Sequence, residues 1–358
     1  MKIIILAGGV GTRFWPMSRK NKPKQLCKLL SSKTMLEETV ERFKNYPKNK
    51  IYISTTKILE KPIREIFSDF PSENFIIEPA CRDTAPAMGF VATYLAKKDP
   101  DEPIAFIPSD HKIGRVEKLL HCLEEAEQVI LKTGKLLDIS VYQFSPSTTL
   151  GYTKIGKRIM EKDGVEFYEF LGHKEKPDFK TAQKYLESGN YLWHANYYMW
   201  TPRKFLEAYQ KYAPEMYKTL LKIQSLLGKG QTEKISALYK SMQKISIDYA
   251  ITEKINANNI AIILGDFDWN DIGAWNTLYE NMLTKTDEKK NMVVGDRLNI
   301  DTSNCLVYGK ENKMIATIGV DDLVIIDTDD ALLVCPKSRA QEVKKAVDEL
   351  KLRGGKYL

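Results

Sequence analysis

Three groups of residues in this chain have types and spacings that chemistry can use. The first is the run Ala7-Gly-Gly-Val-Gly-Thr-Arg-Phe-Trp-Pro-Met-Ser-Arg-Lys-Asn-Lys-Pro-Lys-Gln25, a glycine-rich turn followed by Arg13, Arg19, Lys22 and Lys24. Glycines allow positive φ and let backbone N–H groups approach an anion closely. Basic residues are unfavourable near a helix N-terminus, so their density here points to a bound polyanion, with a nucleoside triphosphate the natural candidate. Two familiar phosphate loops do not fit. G-x-G-x-x-G would need a glycine where Phe14 stands, and G-x-x-x-x-G-K-[ST] finds no Gly-Lys pair. The plain alternative is a strand–helix turn with a solvated basic helix start.

The second group is a pair of distant aspartates. Asp110 follows the apolar run Ile104–Pro108 with no basic neighbour before His111, and an unpaired carboxylate there is costly unless it binds metal, substrate or water. Asp271 lies between Trp269 and Trp275, near Asp266 and Asp268. Two hard oxygen ligands far apart in sequence suit a Mg²⁺ shared with substrate phosphates, because Mg²⁺ keeps several waters and takes only one or two carboxylates. The alternatives are a loop cap for Asp110 and a helix cap, before Ile272, for Asp271. The third group is Glu175-Lys176 before Pro177, which favours extended backbone ahead of it. Glu175 can accept sugar hydroxyls and Lys176 can face phosphate; the alternative is a surface charge pair. The four histidines, His111, His121, His173 and His194, lack zinc-site spacing. Trp193, Trp200, Trp269 and Trp275 suit core packing more often than stacking on a sugar or base.

These residues need a scaffold, and the chain pattern supplies one. Lys2–Ala7, Ile51–Thr55, Asn74–Glu78 and Ile104–Pro108 read as strands buried on both faces. Between them lie helical spacings, such as Met35, Leu36, Thr39, Val40, Phe43 and Leu119, Leu120, Leu123, Ala126, Ile130. The alternation predicts an α/β fold: a Rossmann-like, mainly parallel sheet flanked by helices, with ligands at the carboxyl ends of its strands. Gly8–Arg13 and Ser109–Asp110 fall at such ends. After the polar stretch 284–291 come short apolar runs at 292–294, 305–308, 314–318, 323–326 and 331–334, an all-β signature. A small stack of strands or a left-handed β-helix fragment fits them, closed by an amphipathic helix over 339–352. The expected domains are residues 1–284 and 285–358.

Composition bounds the partners. Of 358 residues 43% are hydrophobic and 28% charged, as in ordinary globular proteins, and the net charge is +7. That surplus suits a phosphorylated small molecule and shows no basic block for nucleic acid. Five scattered cysteines without C-x-x-C favour a reducing compartment, so a cytoplasmic location is expected. The apolar run at the N-terminus is too short for a signal peptide, and no stretch is long enough to span a membrane.

At this point the signature is recognisable. Gly8-Gly-x-Gly-x-Arg-Phe-Trp-Pro-x-Ser-Arg…Pro-Lys-Gln25 resembles that of the sugar-1-phosphate nucleotidylyltransferases, specifically their mannose-1-phosphate guanylyltransferase branch. Glu78-Pro-Ala-Cys-Arg-Asp-Thr-Ala-Pro-Ala87 resembles the element by the nucleotide base, Pro108-Ser-Asp-His111 a strand-end element, and His173-Lys-Glu-Lys-Pro177 the element contacting the sugar phosphate. Ser246-Ile-Asp-Tyr-Ala250 and Trp269-Asn-Asp-Ile-Gly-Ala-Trp275 also match in order. The resemblance implies attack of a sugar-1-phosphate on the α-phosphorus of GTP, giving GDP-mannose and pyrophosphate. It implies Asp110 and Asp271 as Mg²⁺ ligands, and Arg13 and Lys24 as stabilisers of the triphosphate and transition state. Leu6, Ala7, Gly8, Gly9, Gly11, Thr12, Arg13, Arg82, Asp83, Thr84 and Ser109 would hold the nucleotide. Gly151, Glu175, Lys176, Asn196 and Asp248 would hold the sugar phosphate. A homodimer without nucleic-acid or membrane partners is expected.

Departures lie on the sugar side. Trp193-His-Ala-Asn-Tyr-Tyr198 stands where the family shows W-N-[SA]-G-[MI]-F, and Leu150-Gly-Tyr-Thr-Lys-Ile155 where it shows T-G-Y-G-Y-I. A heptose- or glucose-type sugar phosphate is therefore the alternative substrate. A non-catalytic nucleotide-sugar-binding subunit is the alternative function, disfavoured because Arg13, Lys24, Asp110 and Asp271 are all retained. A kinase is disfavoured by the missing G-K-[ST]; Asp266-Phe-Asp268 has the D-x-D spacing of a glycosyltransferase but sits beside the better-matched Asp271 element. The family's longer members carry an isomerase domain, which is not expected here.

Overall fold

The structure, a computed structural model, describes every residue except Val10 and Glu311, so Val10 of the expected phosphate loop lies outside the described residues. The four apolar runs form β1 (Lys2–Leu6), β2 (Ile51–Thr56), β3 (Phe75–Glu78) and β4 (Ile104–Pro108). Both faces of β1 are covered, and Ile3, Ile4 and Ile5 are fully buried. β1 pairs in parallel with β2 and β4, with Ile3 opposite both Ile51 and Ala105, and β3 extends the set beyond β2.

Next along the chain come β5 (His111–Ile113), β6 (Leu136–Val141), β7 (Tyr152–Lys162), β8 (Val165–Lys174), β9 (Tyr191–Trp200), β10 (Ile260–Gly265) and β11 (Trp269–Asp271). The main sheet runs β3-β2-β1-β4-β9-β6-β10-β8-β7, and β5 pairs with β11 separately. Because β9 is antiparallel to both β4 and β6, and β10 is parallel to β6, the strands β1–β4, β6 and β10 share one direction. The expected mainly parallel sheet is present. The hairpin β7–β8 and strand β9 are additions to the expected strands; β7 is exposed and charged along its second half, so it lacks the continuous apolar run of a doubly covered strand.

Helices cover the sheet with the apolar stripes the spacing requires. Leu119, Leu123, Ala126 and Ile130 of the helix Val116–Thr133 are all buried, and the helix stops at Gly134 in a left-handed conformation. In the helix Thr84–Ala96, a Cβ at Gly89 would come within 2.8 Å of Leu220 and 3.1 Å of Tyr209, so only glycine permits that packing.

The chain divides into two compact units. The first, Met1–Gly8, Arg42–Pro108 and Ile113–Trp269, holds the main sheet. The second gathers Gly9–Glu41, Ser109–Lys112 and Asn270–Leu358. In this second unit lie β12 (Met292–Val294), β13 (Arg297–Ile300), β14 (Leu306–Tyr308), β15 (Ile315–Ile318), β16 (Leu323–Asp327) and β17 (Leu332–Pro336). β12, β14 and β16 stack in parallel register, Met292 on Leu306 on Val324, while β13 pairs in parallel with β15. Successive coils stacked this way form the expected small β-helix-like domain, ended by the antiparallel β17. The final helix is shorter than expected: a 3₁₀ segment Lys337–Glu342 leads into the α-helix Val343–Leu352.

The alternative weighed for the glycine-rich turn, a strand–helix turn with a basic helix start, is not what forms. Among the described residues no α-helix opens there. A 3₁₀ turn at Thr12–Phe14 and another at Lys24–Leu26 precede the first α-helix, Met35–Glu41. Gly11 at φ +56, with Pro16 and Pro23 after it, breaks up the helix that basic residues would in any case disfavour. The loop is instead packed into a core: Phe14, Cys27, Leu29 and Met35 cluster with Trp275, Leu306, Val324, Ile326, Ala340 and Val343.

Candidate active site

In the second unit the catalytic candidates come together. Lys24 is 4% exposed, and its Nζ lies 2.9 Å from Asp110 Oδ2 and 3.7 Å from Asp271 Oδ1. The ammonium also sits 5.6 Å from the centre of the Phe14 ring. Gly11 makes this possible, because a Cβ on it would fall 2.4 Å from Lys24 Cβ and its φ is left-handed. Ser18 Oγ donates to Gly11 O at 2.6 Å and Gln25 Nε2 to Gly9 O at 2.9 Å, fixing the loop around the lysine. Thr12 opens the 3₁₀ turn that presents Arg13, and Ser109 is buried beside Asp110.

The reading of Asp110 as unpaired changes, and the alternative weighed for Asp271, a helix cap, is not met. Asp110 is not unpaired; Lys24, distant in sequence, neutralises it. Burial alone would raise its pKa, but the Lys24 ammonium outweighs that, aided by His111 and Arg13, and holds it at about 2. Asp271 caps no helix: it ends β11, and the helix Trp275–Glu280 starts after Ala274. Gly273 keeps the carboxylate's place free, since a Cβ there would lie 2.9 Å from Asp271 Oδ2. The neighbouring acids separate from this pair. Asp266 pairs with Arg115 and Lys118, and Asp268 packs against Gly114. Among the described residues no group of three or more His, Cys, Asp or Glu forms a metal cage. Asp110 and Asp271 converge on the Lys24 ammonium and remain partly exposed, so their hard oxygens would suit a Mg²⁺ whose remaining ligands are water and phosphate.

In the first unit, Leu6, Ala7 and Gly8 end β1. Ala7 N donates to Ser54 O at 2.7 Å, and Thr55 Oγ1 donates to Ala7 O at 2.9 Å. Beneath Gly8 lies the buried carboxyl of Glu78, bonded by Tyr239 Oη at 2.7 Å and Ser54 Oγ at 3.2 Å. Burial pushes the Glu78 pKa up to about 7, against the two hydroxyl bonds. Asp83, at φ +70, caps the helix Thr84–Ala96 by accepting from Thr84 N at 2.8 Å. Thr84 Oγ1 accepts from Ile247 N at 2.9 Å, tying two separate motifs together. Arg82 donates to the Lys240 carbonyl.

The sugar-phosphate candidates lie elsewhere in this unit. Gly151 is required by its neighbours: a Cβ would fall 2.4 Å from Glu175 Oε2 and 2.8 Å from His173. Glu175 pairs with Lys176 and lies 3.5 Å from His173 Nε2. Lys176 does not take the extended backbone expected before proline. It stands at φ +46, because only four residues turn the chain from β8 into the helix Phe179–Ser188. Asn196 occupies a left-handed position, φ +61, at a bulge where β9 slips register against β6. Asp248 is buried and accepts from Tyr198 Oη at 2.7 Å. Beside it, His194 is 1% exposed and fully internal, its Nδ1 2.9 Å from Asp138 Oδ2 and its Nε2 3.4 Å from Asp248 Oδ1. Burial would lower the His194 pKa, but Asp138 and Asp248 raise it to about 10, and His194 in turn holds Asp248 below the usual carboxylate range.

A family model described as nucleotidyl transferase matches residues 2–288. The chain belongs to the nucleotidyl transferase family. A second model, for a MannoseP isomerase/GMP-like beta-helix domain, matches residues 295–350 of the small β domain. A mannose-1-phosphate guanylyltransferase of Escherichia coli is 33% identical over 99% of this chain and 76% of its own length. One from Klebsiella pneumoniae is 32% identical over 97% of the chain and 73% of its own length. A solved Thermus thermophilus protein named mannose-1-phosphate geranyltransferase matches at TM-score 0.84 and 29% identity, covering 98% of this chain and 99% of that one.

Two residues outside the sequence reading also join these clusters. Asp138 carries a signal in the sequence, a carboxylate inside the apolar run Leu136–Val141, where burial demands a partner. Gln341, bonded to Arg13, carries none.

Proposed function

We propose that this nucleotidyl transferase is a mannose-1-phosphate guanylyltransferase, joining GTP and mannose-1-phosphate into GDP-mannose and pyrophosphate. The observation that carries the reading is Lys24, buried between Asp110 and Asp271 beside the glycine-rich loop. The nucleophile is a phosphate oxygen, dianionic at neutral pH because the second pKa of a phosphate monoester is about 6. It needs no general base. Arg13 and Lys24 stabilise charge developing on the α-phosphorus and the leaving pyrophosphate. Mg²⁺ held by Asp110 and Asp271 would supply further positive charge at the phosphates. Leu6–Gly9, Gly11, Thr12, Arg82–Thr84 and Ser109 hold the nucleotide; Gly151, Glu175, Lys176, Asn196 and Asp248 hold the sugar phosphate. Residues 1–284 form the transferase domain and 285–358 the β domain, in a cytoplasmic homodimer.

A second sugar, of heptose or glucose type, is favoured by one observation: His194 and Thr153, which replace the family's usual residues, are buried in a hydrogen-bonded network with Asp138 and Ser140. The test is pyrophosphate release over a grid of four nucleoside triphosphates and several sugar-1-phosphates. GTP with mannose-1-phosphate leads. Preference for UTP or dTTP overturns the guanylyl reading, and preference for another sugar overturns mannose alone.

A further inference from the structure

The signature loop is held by residues from the far end of the chain. Arg13 Nη1 donates to Gln341 Oε1 at 3.1 Å, Arg19 pairs with Asp330 at 2.6 Å, and Trp15 Nε1 donates to the Tyr357 carbonyl at 2.9 Å. Gln341 lies between Ala340 and Val343, which are buried in the same core as Phe14 and fix the backbone on either side of it. The chemistry of the acceptor matters. A guanidinium has five donors and no acceptor, and a neutral partner that takes one of them leaves the full charge and the other donors for phosphate. The neutral amide of Gln341 fixes one N–H and leaves that charge intact. A Cβ on Gly273 would lie 2.9 Å from Asp271 Oδ2 and 3.6 Å from Arg13 Nη1, so the guanidinium stands close to the same aspartate.

We infer that Gln341 is a positioning residue for nucleotidyl transfer, holding the Arg13 guanidinium where the triphosphate docks, so that the C-terminal segment takes part in the reaction. This rests on the role proposed for Arg13. The experiment measures pyrophosphate release by the full chain with GTP and mannose-1-phosphate, for Arg13→Ala, Gln341→Ala, Gln341→Met and the Arg13→Ala/Gln341→Ala pair. Loss of one hydrogen bond to a charged group predicts a fall in kcat of about tenfold for Gln341→Ala. The KM for sugar phosphate and the melting midpoint stay unchanged. Gln341→Met, which keeps the bulk and removes the acceptor, shows the same loss. On the Arg13→Ala background, Gln341→Ala adds nothing. The inference is overturned if either single Gln341 variant keeps full turnover, or if its loss is undiminished without Arg13. If Arg13→Ala itself keeps full turnover, the role proposed for Arg13 falls first, and this one with it.

Discussion

Glu78 offers the sharpest test of the electrostatics around the glycine-rich turn. Its carboxyl is 4% exposed, lies under Gly8, and has a folded pKa of about 7 against an ordinary 4.5. The sign follows from linkage. Below 4.5 the group is protonated whether or not the chain is folded, and its contribution to stability is fully present. As pH rises towards 7 the unfolded chain ionises first, so the contribution is lost and levels off above the folded value. The shift of about 2.5 units amounts to about 3 kcal/mol. Glu78→Gln keeps the shape and an acceptor for the Tyr239 or Ser54 hydroxyl, but cannot ionise. Urea unfolding followed by tryptophan fluorescence, at a series of pH values from about 4 to about 8, should show the variant gaining about 3 kcal/mol on wild type across that span. Parallel curves, with a gap that changes by less than about 0.5 kcal/mol, would refute the claim that burial rather than the hydroxyls governs this carboxyl.

Four further outcomes follow from the site. Arg13→Ala and Lys24→Ala each lower turnover by about 10²–10³ while the far-ultraviolet circular dichroism is retained, and a variant within about threefold of wild type rejects its residue's role. Asp110→Asn loses activity and the divalent-metal dependence of what remains, checked by metal titration of pyrophosphate release. Gly11→Ala strains a left-handed residue against Lys24 Cβ and lowers the melting midpoint as well as turnover. His194→Asn is less stable than wild type at neutral pH. The imidazolium's contribution is fully present below 6.5 and lost as pH rises towards about 10, so the difference in unfolding free energy narrows over that range.

The part of the fold that can be read in advance is the part whose residues obey a single period. β1 to β4 are continuous apolar runs because both faces are covered, and the helix Val116–Thr133 shows its stripe plainly. β7 escapes because it is buried only at its start, and β13 because Arg297-Leu-Asn-Ile300 is mostly exposed. In the site, the identities of Arg13, Lys24, Asp110 and Asp271 are readable from residue type, but their pairing is not. Lys24 and Asp110 meet only because the loop after β1 and the turn after β4 enter the same compact unit. Asn196 reads in sequence as a substitution for glycine; its left-handed φ supplies the physical reason that position tolerates little else, since asparagine adopts this conformation more readily than other non-glycine residues.

The two site regions solve the same problem in the same way. Around Lys24 one ammonium is bracketed by Asp110 and Asp271; around His194 one imidazolium is bracketed by Asp138 and Asp248. Neither arrangement is a large source of stability, because desolvating three charges offsets most of their attraction. What each does provide is fixed geometry, since removing one member leaves the others buried and uncompensated. The difference between them is access. Asp110 and Asp271 keep 38% and 24% of their side chains exposed, whereas Asp138 and Asp248 keep 2% and 7%. Only the first pair is open enough to exchange partners without unfolding its surroundings. The second is enclosed and held in one arrangement by its own hydrogen bonds. Burial therefore divides these four aspartates into an accessible pair and an enclosed one.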